Sequence, residues 1–148
     1  MLLLDIVTIV CVGLLIGTEF AVSVFINPVL RKLEDSARAQ AISLFAARLG
    51  TAMPFWYVLS LLLLIVEAVM RRHERGLILL IAASVIWAAV IVATVLFLVP
   101  INNRMMRLDT SSFPEEARRE HERWVALHHL RVMALVIALV CFLLGSRR

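Results

Sequence analysis

From Leu77 to Asn103 the chain runs without one charged side chain. An α-helix needs roughly 20 apolar residues to cross a ~30 Å hydrocarbon core, and this run exceeds that. In lipid every backbone N–H and C=O must be satisfied within the segment, so the run reads as a spanning helix and not as an open strand or loop. Three further apolar runs join it, and spans are expected near residues 3–26, 54–70, 77–99 and 125–145. The fold class is therefore all-α: an integral membrane four-helix transmembrane bundle forming a single domain over residues 1–148. Hydrophobic residues make up 62% of the chain and mean hydropathy is +0.95, far above a soluble average. Met1-Leu2-Leu3-Leu4-Asp5 lacks a basic residue and no small-residue cleavage site precedes Glu19, so the first run reads as a retained helix, not a cleaved signal peptide.

Punctuation between the spans adds detail. Asn27-Pro28 is expected to stop or kink the first helix, since the residue before proline avoids helical geometry, and Pro100-Ile101-Asn102-Asn103 to end the third. Within 35–49, apolar Ile42, Phe45 and Leu49 alternate with Arg38, Gln40, Ser43 and Arg48, and Gly50 is placed to end the segment. That pattern predicts an interfacial amphipathic helix. Pro54 suits the first turn of the second span. Ser112-Phe113-Pro114-Glu115 reads as a capping box, with Glu115 and Arg119 as a surface ion pair. Nothing breaks the last helix before Gly145, so it is expected to extend several turns beyond the bilayer.

The net charge of +4 does not indicate nucleic acid, because every one of the 15 Lys and Arg residues except Arg131 lies in a connection or at the C-terminus. Membrane lipid is the partner that pattern fits. The long connections carry nine (Arg31, Lys32, Arg38, Arg48, Arg104, Arg107, Arg118, Arg119, Arg123) and the short turn with the C-terminus five (Arg71, Arg72, Arg75, Arg147, Arg148), which places both termini outside a bacterial inner (plasma) membrane. Cys11 and Cys141 form no CxxC and read as free, packed thiols.

One carboxylate sits inside an apolar run. Glu19, at a cost of roughly 2.5–3.5 kcal/mol on insertion scales, must be neutralised, paired or wet. Glu19, Ser23 and Asn27 recur at i, i+4, i+8, a polar stripe about 12 Å long. On the last helix His121, Trp124, His128 and Arg131 are spaced 3, 4 and 3 and share a face. If Asn27 and Trp124 both mark the interface, antiparallel helices bring Arg131 about 10 Å down, level with Glu19, and His128 about 6 Å down beside Ser23. The same mouth, expected to open toward the long connections, gathers Asn102 and Asn103, with Trp56, Tyr57 and Trp124 as aromatic walls. The pair either locks the bundle or belongs to a polar pocket that binds or transforms a ligand. Glu19, His128 and His121 are ligand types that admit a transition metal, although no HxxxH or ExxH pair occurs on one helix. His73 reads as a solvated turn residue, and Glu67 as snorkelling toward Arg71.

The pattern Gly17-x-Glu19-Phe20-x3-Val24-Phe25-x-Asn27-Pro28, with Met53-Pro54, Pro100-Ile101-Asn102-Asn103 and Trp124-x3-His128-x2-Arg131, resembles the anthrone oxygenase-like family of small four-helix membrane proteins. The resemblance spans nearly the whole chain. Where family members often carry a tryptophan before the loop aspartate, this chain has Leu108-Asp109. A minority of fungal members are associated with oxidation of polycyclic anthrones to anthraquinones. The resemblance thus implies an oxidoreductase acting with O2 on a hydrophobic aromatic small molecule and requiring no prosthetic group. Glu19 or His128 would be the base; Arg131, Asn102 and Asn103 would hold the oxyanion; Trp56, Tyr57 and Trp124 would stack the rings. The competing class is a non-enzymatic small-molecule or quinone-binding protein or a proton-coupled carrier, and a homo-oligomer is compatible with either.

Overall fold

The computed structural model describes residues 1–109 and 111–147; Thr110, and Arg148 of the charge balance above, lie outside them. Four helices are each long and apolar enough to cross a membrane: α1 (Leu2–Leu30), α2 (Asp35–Met70), α3 (Leu77–Met105) and α4 (Glu115–Gly145). The described residues contain no strand. α1 packs on α2 and α4, and α3 packs on the same two, so every neighbouring pair is antiparallel. Val12, Leu15, Leu64, Leu80, Trp87, Leu135 and Phe142 fill the interior. Large apolar side chains also cover the outside, among them Leu3, Leu14, Phe55, Leu62, Ile78, Leu96, Leu130 and Met133. Water would not tolerate so continuous an apolar surface, whereas lipid does, and the chain is an integral membrane protein.

Neither Asn-Pro motif ends its helix. α1 continues through Pro28 to Leu30 and α3 through Pro100 to Met105. Each proline is preceded by a π-turn, Val22–Ile26 in α1 and Thr94–Leu98 in α3. The Asn27 N–H reaches back to the Val22 carbonyl and the Val99 N–H to the Thr94 carbonyl. Proline lacks an N–H and its ring collides with the carbonyl four residues earlier; one extra residue in the preceding turn moves that carbonyl aside. The wider turn in α1 also buries Val22 and Ser23 together.

The expected interfacial helix is not a separate element. Asp35–Met70 is one helix, with Pro54 inside it and Gly50 at a negative φ. Proline removes one backbone bond, and the first half of α2 is held to the bundle where Ala39, Ile42 and Ala46 pack with Leu30, Ile101, Met105, Phe113 and Ala117. Of the expected apolar face Ile42 is buried on protein, Leu49 is half-buried and Phe45 stays exposed. The capping box is absent too: α4 begins at Glu115 with extended Pro114 as N-cap and no side-chain cap bond, leaving Ser112 two residues too early. The Glu115–Arg119 pair forms at 3.3 Å.

At the opposite end the bundle is closed tightly. A Cβ on Gly76 would lie 2.0 Å from the Gly145 carbonyl oxygen, so only glycine lets the α2–α3 turn meet the end of α4. Beside it Glu67 and Arg71 pair at 3.2 Å, with both side chains wholly buried. Glu67 thus meets Arg71 as expected, but inside the bundle; Asp5 also pairs with Arg71, and the Thr8 hydroxyl donates to Glu67.

Candidate functional site

Glu19 lies in the last turn of α1 before the π-turn, 2% exposed, and side chains from two other helices converge on it. From α4, Arg131 Nη2 donates to Glu19 Oε2 at 2.6 Å. From α2, the Tyr57 hydroxyl donates to Oε1 at 2.9 Å. His128 Nε2 lies 3.0 Å from the Glu19 backbone carbonyl, and Nδ1 lies 2.8 Å from Arg131 Nη2. A carbonyl only accepts and a guanidinium only donates, so the ring is the neutral tautomer protonated on Nε2, its Nδ1 lone pair taken by Arg131. The 3.2 Å approach of Nδ1 to Glu19 Oε2 is then a contact and not a hydrogen bond.

Glu19, Tyr57, Thr94, Asn102, Trp124, His128 and Arg131 line one cavity of about 230 Å³ whose remaining walls are largely apolar. Its rim includes Gly50, Pro54 and Val58 of α2 and Val95 of α3, all on outward surfaces. The cavity thus reaches the lipid-facing surface laterally, between α2 and α3. The absence of side-chain bulk at Gly50 and the missing backbone donor at Pro54 fall at this rim.

The other residues singled out from sequence scatter. Ser23 is buried but outside this cavity, and Asn27 lines a smaller adjoining one. Asn103 is exposed, because it follows Asn102 by 100° around α3. Trp56 turns toward α1 and donates to the Cys11 carbonyl at 3.0 Å, outside the cavity. Trp124 already stacks within the protein, with His128 parallel to it at 4.7 Å and His121 at 6.1 Å. His121 is separated by that indole from Glu19 and His128, so the three metal-ligand candidates do not converge, and among the described residues no group of three His, Cys, Asp or Glu side chains does. Asp109 sits in the α3–α4 connection, where the backbone N–H of Ser111 bonds it and holds its carboxyl below the usual range.

Sequence reasoning missed Thr94. Its hydroxyl is buried with no partner within the protein, as are Arg131 Nε and Trp124 Nε1. The available signal was its place six residues before Pro100, matching Val22 before Pro28. Behind the site, Trp87 supports Tyr57 by donating to its carbonyl at 3.1 Å.

Neither the curated proteins nor the solved structures contain a match to this chain. The sequence model of the family described as Anthrone oxygenase matches residues 42–141, about two thirds of the sequence. That span includes Tyr57, Asn102, Trp124, His128 and Arg131 and leaves Glu19, their shared partner, to the N-terminal side. The chain belongs to the anthrone oxygenase family.

Proposed function

We propose that the protein oxidises a hydrophobic, anthrone-type aromatic compound with dioxygen in the cavity beside Glu19. The observation that carries this reading is a carboxylate held by two donors in an apolar chamber where Arg131 Nε and Trp124 Nε1 remain unspent as donors. Glu19 is the one carboxylate among the lining residues. A lateral mouth suits a substrate dissolved in the bilayer.

An anthrone carries an acidic benzylic C–H conjugated to its ketone. Glu19 takes that proton, and the electron pair moves onto the ketone oxygen as an enolate. Arg131 holds the oxyanion, an interaction stronger in the charged state than in the neutral ketone. The enolate reduces O2 and joins it, a C–O bond forms, and Glu19 returns its proton to give a hydroperoxide. Loss of water breaks the O–O bond, removes the second C–H proton and leaves a second ketone. The balance is anthrone plus O2 to anthraquinone plus water, with no prosthetic group required. His128 is better assigned as a positioning residue than as the base, since both its nitrogens are engaged.

The test is O2 uptake and anthraquinone formation by protein in lipid nanodiscs, above the spontaneous oxidation rate. Glu19→Gln is expected to lower turnover roughly 10²- to 10⁴-fold with helicity retained. Unchanged turnover would overturn the assignment. Glu19-dependent flux in proteoliposomes without O2 uptake would select the carrier reading instead.

A further inference from the structure

Beyond Trp124 lies a second cavity of about 50 Å³, walled by apolar residues that include Ile26, Ile42 and Met105. It shares Val22, Leu49, Asn102 and Trp124 with the larger cavity, so the two chambers adjoin across the edge of the indole. Three polar atoms of its lining residues have no partner within the protein: Asn27 Nδ2, His121 Nε2 and Trp124 Nε1. Asn27 is 2% exposed and His121 4%. An unsatisfied buried polar group costs about 1–3 kcal/mol, so each of these side chains gains by meeting a polar partner.

We propose that this chamber is a binding subsite for one neutral oxygen substituent, a phenolic hydroxyl or ketone, on the ring of the ligand farthest from the Glu19–Arg131 pair; this rests on the reading of the larger cavity as the reaction site. Asn27 Nδ2 and Trp124 Nε1 can only donate, which calls for an oxygen acceptor. His121 Nε2 donates or accepts according to its tautomer, so a hydroxyl or a ketone completes the set. A water molecule fits the chamber as well, and the experiment separates the two occupants.

Binding of two probes is compared without oxygen: anthrone, and an anthrone bearing one phenolic hydroxyl on an outer ring. The quantity read is the ratio of their dissociation constants. Wild type is expected to favour the hydroxylated probe roughly three- to tenfold, the worth of one neutral hydrogen bond. His121→Phe, which keeps an aromatic ring against Trp124, and Asn27→Ala should bring the ratio toward one. A wild-type ratio near one, binding of neither probe, or a ratio unchanged in both variants overturns the proposal, the last marking the chamber as a water site. If a variant fails to fold, as judged by its melting curve, the wild-type ratio and the other variant decide. The oxidation reading fails separately, through absence of O2 uptake while the ratio holds.

Discussion

The bundle buries two arginines against carboxylates, and they are used differently. Arg71, at the closed end, spends every nitrogen: Nε on Glu67, Nη2 on Asp5, and Nη1 on Glu74 and the Ser146 carbonyl. Its side chain is fully buried, and no cavity described above includes it. Arg131 spends Nη2 on Glu19 and His128, leaves Nε without a partner, and keeps 12% of its side chain exposed at a chamber. Both solve the same problem, the cost of a charge in an apolar bundle. A saturated cluster can only hold the helices together. An unsaturated one beside a cavity still has donors to offer a ligand, and that difference, more than the presence of buried charge, separates a staple from a site.

The comparison is tested hardest by removing each arginine in turn. Arg71→Met strands Glu67 and Asp5 and is expected to cost about 3–5 kcal/mol in unfolding from micelles, with turnover per folded molecule nearly unchanged. Arg131→Met should cost less, because Glu19 keeps the Tyr57 hydroxyl, and should abolish turnover. Equal destabilisation by the two changes would erase the distinction. A smaller effect comes from a double-mutant cycle on Glu19→Gln and Arg131→Met. Each single change leaves an uncompensated partner, so the losses should exceed additivity by about 0.5–3 kcal/mol. Additive losses would leave two independent polar residues and remove the reason for treating them as one site.

The site was the more legible of the two clusters. A carboxylate within α1 and an arginine within α4 each demanded a partner on energetic grounds, and helical rise matched their depths, so the 2.6 Å contact of Glu19 with Arg131 follows from arithmetic on the sequence. Of the staple only the Glu67–Arg71 pair was legible; Asp5 was not, because it sits at the end of an apolar run, where charge is ordinarily solvated and periodicity says nothing about where the ends pack. Local backbone geometry was also out of reach. Proline signals a break in a helix, but the π-turns before Pro28 and Pro100 show the helix widening instead. That widening changes which residues face inward beyond it, so the expected stripe is buried but split, with Glu19 at the larger cavity, Asn27 at the smaller one and Ser23 at neither. The direction of the mouth depends on how α2 and α3 part around Gly50 and Pro54, which is a property of packing and not of any one segment.

The smallest expected effect is the sharpest on the unsaturated cluster. Tyr57 is 4% exposed, its ring lies 5.9 Å from Trp87 and under the Arg131 guanidinium at 5.7 Å, and its hydroxyl is the α2 donor to Glu19 Oε1. Tyr57→Phe keeps the ring, its packing and the cation–π contact and removes that donor alone. Side-chain hydrogen bonds inside membrane proteins average about 0.6 kcal/mol and reach about 1.7, so a loss in that range is expected in the micelle unfolding assay. Turnover should move the other way from a simple staple. Without the phenol, Glu19 Oε1 is freed toward the cavity, and the carboxylate becomes a stronger base but a less fixed one. The two consequences are separable: a stronger base raises the rate of proton abstraction, read as hydrogen exchange at the benzylic carbon of an anthrone under argon, while looser positioning lowers overall oxidation. Faster exchange with slower oxidation would assign Tyr57 the role of orienting Glu19. If neither rate changes while stability falls, Tyr57 belongs with Arg71 as part of the scaffold, and the boundary between staple and site must be drawn inside the cavity wall.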